Sequence, residues 1–67
     1  MAVIKVVELI GTSESSWEDA VQHAIDEAGK TIRNITGVDV LGFKAKVKDG
    51  KIRTYKANVK IAFTVER

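Results

Sequence analysis

Hydrophobic and polar positions change period along the chain, and each change predicts a different element. Residues 2–10, AVIKVVELI, are rich in Val and Ile and bounded by Gly11, which predicts a first strand. Lys5 and Glu8 alone interrupt its two apolar faces, so this strand needs cover on both sides. From Trp17 the spacing lengthens: Trp17, Ala20, Val21, Ala24, Ile25, Ala28 and Ile32 share one face of a helix. Glu18, Asp19, Gln22, His23, Asp26, Glu27, Lys30 and Arg33 take the other, acids early and bases late as the helix dipole favours. Ser15 with Glu18, or Ser16 with Asp19, has capping-box spacing ahead of it. Gly29 inside the helix costs about 1 kcal/mol relative to Ala, which predicts a closely packed neighbour there. The helix is expected to fray over residues 34–37 and to stop at Gly37 in a left-handed conformation.

Beyond residue 38 the period falls to two. VDVLGFKAKVK and KIRTYKANVKIAFTVE flank Asp49-Gly50, the strongest short-range signal for a hairpin. Leu41, Phe43, Ala45 and Val47 share a face of the first arm, while Tyr55, Ala57, Val59, Ile61, Phe63 and Val65 share one of the second. Val38 and Val40 are out of phase with Leu41 and Phe43, which predicts a bulge near Gly42. The order is β-α-β-β, an α+β fold. With antiparallel neighbours the third strand lies in the middle, so the three-stranded sheet has order 1-3-2 and wraps one helix. The last strand, at about 15 residues and ~50 Å, is longer than so small a core can cover.

Composition makes self-association the expected source of stability. A chain of 67 residues reads as one domain, 1–67, of a size that is marginal without a staple. It has no Cys and one His, which excludes disulfides and leaves no zinc cage. No apolar run approaches the ~18 residues of a membrane span and no export signal is visible, so a cytoplasmic location is expected. The net charge of +2 is a difference between unlike halves. Residues 1–42 carry three bases against seven acids, a net −4; residues 43–67 carry eight bases against Asp49 and Glu66, a net +6.

No catalytic constellation accompanies these patterns, and an enzyme is not expected. His23 falls on the polar helix face, and Ser13, Ser15 and Ser16 read as turn and cap residues. Phosphate-loop glycine patterns are absent, and Asp39 and the helical acids lack EF-hand spacing. Trp17 reads as a core or staple residue, and Phe43, Tyr55 and Phe63 fall on buried-face phases. Lys44, Lys46, Lys48, Lys56 and Lys60 share the other sheet face, either as a phosphate surface or as a solvated face that discourages edge aggregation. Without exposed aromatics or a recognition helix, nucleic acid is the less favoured partner.

A strand ending in GTSESSW, a helix continuing AIDEAGKTIRNI and a closing RTYKANVKIAF together resemble the dodecins, from Val6 to about Val65. The resemblance implies β-α-β-β subunits, twelve of which form a hollow shell that binds and sequesters flavin (riboflavin or FMN) in pockets between subunits. It implies a flavin-sandwiching tryptophan just after the helix and a glutamine early in the last strand. Those positions are Gly37 and Lys56 in this chain. Loss of stacking on both sides of a paired pocket is worth roughly 2–6 kcal/mol, or ~30-fold to 10⁴-fold in affinity. Lys56 donates but cannot accept, unlike glutamine. Dodecin-like proteins lacking the tryptophan have been associated with calcium, so the alternative is a flavin-free shell holding Ca²⁺ or an anionic ligand, with no metal ligands assigned.

Overall fold

A computed structural model describes residues 3–65. Strand β1 (Val3–Ser13) leads to helix α1 (Trp17–Gly29), then to β2 (Ile35–Lys48) and β3 (Lys51–Val65). Ala2 and Glu66, placed in strands by their pattern, lie outside the described residues. The sheet has the expected order, β1-β3-β2, with both pairs antiparallel. Asp49 (φ 55°) and Gly50 (φ 75°) supply the two positive φ angles of a type I′ hairpin turn.

β1 does not stop at Gly11. It runs on to Ser13, and at Gly11 the strand and helix approach so closely that a Cβ there would overlap the carbonyl oxygen of Ala20. Opposite this contact α1 shows a stripe of Ala20, Ala24 and Ala28, which with Ala57, Val59 and Ile61 of β3 forms the buried core. Small side chains let the helix lie low on the sheet. Val7, Leu9, Val21, Ile25, Ile32 and Ile35 pack around it.

Of the two candidate caps, Ser16 is the one used, its Oγ accepting from the Asp19 amide at 3.0 Å. The helix ends earlier than its apolar pattern, at Gly29, where the Lys30 and Thr31 amides bond three residues back to the Glu27 and Ala28 carbonyls and tighten the last turn. The left-handed residue is then Asn34 (φ 63°), whose carbonyl accepts from the Thr64 amide at 3.1 Å. Gly37 is therefore no helix stop; it lies in β2. Nor does Gly29 meet a close neighbour, as a Cβ there would find open space within 4 Å.

The register shifts near Gly42 as expected, with Leu41 as the extra residue between Val40 and Gly42. This bulge returns Val38 and Val40 to the helix-facing side shared by Phe43 and Ala45. Further shifts occur between Ile35 and Gly37 and between Lys46 and Val47. The hairpin carries the subunit to 52 Å in length, well past the helix.

The two helix-proximal glycines should respond oppositely to the same substitution. Gly11→Ala forces the strand off the Ala20 carbonyl and should cost about 1–3 kcal/mol. Gly29→Ala fills empty space and should add about 0.4–1 kcal/mol by restricting the unfolded chain. Thermal melts of the two variants, moving down and up respectively, check the packing.

Candidate functional site

Sheet alternation and register decide which side chains share a surface. On the face away from α1, β3 presents Lys56, Asn58, Lys60 and Ala62. Lys60 stands between Glu8 of β1 and Asp39 of β2, so its charge has acids in register on both sides. Lys56 stands between Thr12 and Lys44, with no acid beside it. Like charges directly opposite are unfavourable. The basic patch read from the sequence is thus cut at Lys60 and concentrated toward the hairpin turn.

Gly37 lies on the same outer face as Lys56, opposite Ala62, whose Cβ would be 4.0 Å from a Cβ at Gly37. A Cβ at residue 37 would thus make only an ordinary van der Waals contact. Along β3, however, Ala62 and Lys56 are six residues apart, or roughly 20 Å. One subunit does not bring Gly37 and Lys56 together; only residues from different copies could form one pocket from both positions.

On the helix-facing side Trp17 ties the start of α1 to the hairpin. Its indole Nε1 donates to the Lys44 carbonyl at 2.9 Å, and its ring meets Tyr55 (4.8 Å) and Phe43 (5.9 Å) edge-on. Trp17 is a staple, as expected. Phe43 is not buried: it is 59% exposed, because α1 covers β1 and β3 and scarcely reaches β2.

The serines that precede the helix converge on one carboxylate. The buried Ser13 hydroxyl donates to Asp19 Oδ2 at 2.7 Å, and Ser15 donates to the same oxygen at 3.2 Å. The Ser13 hydroxyl oxygen in turn accepts from the Ser15 amide at 2.9 Å. His23 spans from Asp19 Oδ2 (Nε2, 3.3 Å) to the Thr12 carbonyl (Nδ1, 2.8 Å), joining α1 to β1. The Ser13 hydrogen bond is the main cause that holds the Asp19 carboxyl below its ordinary range; partial desolvation opposes it, and His23 and Ser15 assist. Serine and histidine both address the aspartate and do not address each other, so no base is placed to activate a nucleophile. This knot fixes the helix start.

Two further features carry no motif. Between β1 and α1 lies a groove of about 480 Å³, lined by Leu9, Ala24, His23 and Asp26 and by the paired Glu27 and Lys30. At the hairpin end Val47 (60% exposed) faces Ile52 (44% exposed) across the two strands. In the sequence, the alternation that groups Val47 with Phe43 and Ala45 pointed to the second, and no motif pointed to the first. Among the described residues no three His, Cys, Asp or Glu side chains cluster to hold a metal ion, and no helix is long and apolar enough to cross a membrane.

The Dodecin family model matches residues 3–66. The dodecin of Thermus thermophilus is 33% identical over 64 residues, covering 96% of this chain and 93% of the relative. The calcium dodecin of Mycobacterium tuberculosis is 32% identical over 63 residues, covering 94% and 89%. Among solved structures, a dodecin from Streptomyces coelicolor superposes with a TM-score of 0.94 at 26% identity, covering 98% of this chain and 94% of that one.

The lowered Asp19 value has a consequence for acid stability. Because its folded value lies below the unfolded one of 3.8, its contribution is complete above that pH and is lost as pH falls through the folded value. Asp19→Asn should flatten the loss of urea resistance between about pH 5 and about pH 2. An unchanged slope would mean that the serine knot does not stabilise the ionised carboxylate.

Proposed function

Because this chain belongs to the dodecin family, we propose that it is a self-assembling binding protein rather than an enzyme. Twelve copies enclose a hollow shell, and a small ligand sits where copies meet. The observation that carries this reading is apolar surface on two faces that one helix cannot cover. Ile4, Val6 and Ile10 stand 56–58% exposed on the outer face of β1. Val38, Val40 and Phe43 stand 38–59% exposed on the opposite, helix-facing side of β2. Contiguous exposure of this kind marks a protein–protein surface. The separation of Gly37 from Lys56 within one subunit fits a pocket built from more than one copy.

In this reading the ligand is a flavin, riboflavin or FMN, bound more weakly than an indole sandwich would bind it. Gly37 leaves the stacking position empty, and Lys56 offers a cation to a carbonyl oxygen or phosphate. A second reading, a flavin-free shell that holds Ca²⁺, draws support from the 32% identity to a relative named as a calcium dodecin. Its carboxylates would have to come from several copies, since no cluster exists within the described residues of one.

Titration of riboflavin and FMN, followed by quenching of flavin fluorescence, separates the two readings. Saturable quenching at micromolar protein supports the flavin site. No quenching, together with a Ca²⁺-dependent rise in melting temperature, supports the ion. Gly37→Trp, whose Cβ would make only an ordinary contact with Ala62, should raise flavin affinity about 30-fold or more. A variant that assembles normally and binds no better would remove residue 37 from the pocket.

A further inference from the structure

We propose that Asn58 selects the ligand: its side-chain oxygen accepts from a ring N–H while Lys56 donates to a carbonyl beside it. The pair then takes an imide edge, an N–H flanked by two carbonyl oxygens. The inference rests on the flavin reading and names the groups that address the edge of the ring rather than its flat face.

Asn58 lies on the outer face of the middle strand, between Ile10 of β1 and Gly42 of β2. Its Oδ1 is buried and has no hydrogen-bond partner within the described residues, and no other side-chain nitrogen or oxygen among them is in that state. A buried acceptor without a donor is unfavourable, because water has been removed and nothing has replaced it. The neighbours in register cannot supply the donor: Ile10 offers only hydrocarbon and Gly42 has no side chain. A Cβ at Gly42 would meet nothing within 4 Å, so the surface beside Asn58 is open on the β2 side. A swing about χ2, a torsion with broad preferences in asparagine, turns Oδ1 toward that opening.

Lys56 is two residues away on the same strand and the same face, at roughly 7 Å. Among the described lysines it alone is half-buried; the others are exposed. The ion pairs among the described residues are His23–Asp19 and Lys30–Glu27, and Lys56 is in neither. Lys44 stands directly opposite it, a like charge. β3 thus shows an acceptor lacking a donor next to a donor lacking an acceptor. A phosphate or carboxylate would meet Lys56 and leave the Asn58 oxygen unpaired, while an amine would meet Asn58 and oppose Lys56. An imide edge meets both at once, and the isoalloxazine ring of a flavin carries one at its N3–H. Ile10, 58% exposed beside Asn58, gives the flat ring an apolar neighbour. Lysine cannot accept a ring N–H, and Asn58 supplies what Lys56 lacks.

N3-methylriboflavin, which keeps the ring but has no N–H at that edge, is the probe. Fluorescence-quenching titrations would compare it with riboflavin on wild type, on Asn58→Val, and on Asn58→Val combined with Lys56→Gln. Wild type should bind riboflavin roughly tenfold more tightly than the methylated ring. Asn58→Val should abolish that preference by weakening riboflavin alone, and adding Lys56→Gln should restore it, because glutamine accepts as well as donates. Equal affinity of wild type for the two flavins overturns the proposal. So does an Asn58→Val variant that still discriminates, since the methyl group would then be rejected by shape. FMN bound tenfold more tightly than riboflavin, with the preference lost in Lys56→Gln, places Lys56 on the phosphate and overturns it as well. Where wild-type binding is too weak to titrate, Gly37→Trp serves as the background. If Asn58→Val fails to fold, NMR of riboflavin labelled with ¹⁵N at N3 decides: a bound N3 proton protected from exchange supports the contact, and one exchanging as in free riboflavin rejects it. No riboflavin binding by either wild type or Gly37→Trp sinks the flavin reading itself, an outcome distinct from binding without discrimination.

Discussion

The closeness of α1 to the sheet is the constraint on which the rest of the subunit depends. Gly11 leaves no Cβ between β1 and the Ala20 carbonyl, and the alanine stripe of the helix settles on Ala57, Val59 and Ile61. A helix seated this low packs tightly but covers little width. It spans β1 and β3 and leaves β2 almost bare. Among the described residues the buried core therefore contains six small or medium apolar residues, a thin foundation for a domain of this size.

From that limit follow both of the subunit's outward features. The outer face of β1 and the helix-facing side of β2 keep apolar side chains that the helix cannot reach, so cover must come from outside the chain. The start of the helix, by contrast, is held internally. The Ser13–Ser15–Asp19–His23 knot fixes its start against β1, and Trp17 pins the same end to the hairpin through the Lys44 carbonyl. A rigid, well-anchored centre with incomplete cover is the physical profile of a building block.

Features that depend on neighbours in sequence were legible, and those that depend on neighbours in space were not. Asp49-Gly50 specified its turn locally, Ser16 its cap, and the phase slip between Val40 and Phe43 its bulge. The strand order followed from pairing rules alone. Gly11 and Gly37 misled for the same reason: a glycine marks a departure without saying which. Gly11 permits close approach of a helix, and Gly37 simply lacks a side chain within a strand, while the left-handed conformation fell to Asn34. Phe43 had the phase of a core residue, but phase cannot say how far across a sheet one helix extends. Lys56 had the phase of an outer-face residue of β3 and lies there, whereas Gly37 was read as a helix stop, and the face it shares with Lys56 emerged only from the register around the Leu41 bulge.

The three register shifts along the β2–β3 pair bear on how such a subunit avoids uncontrolled growth. β2 is an edge strand of 14 residues, long enough to template another strand along its whole length. With extra residues at Thr36 and Leu41, its outward amides and carbonyls do not form an even row, and the strand coils more strongly than a regular one. An incoming edge could match one segment but would lose step at the next bulge. Fibrous, open-ended stacking is thereby disfavoured, and union through side chains is left as the easier route. The irregularities that look like defects in the sheet act as a stop signal for its extension.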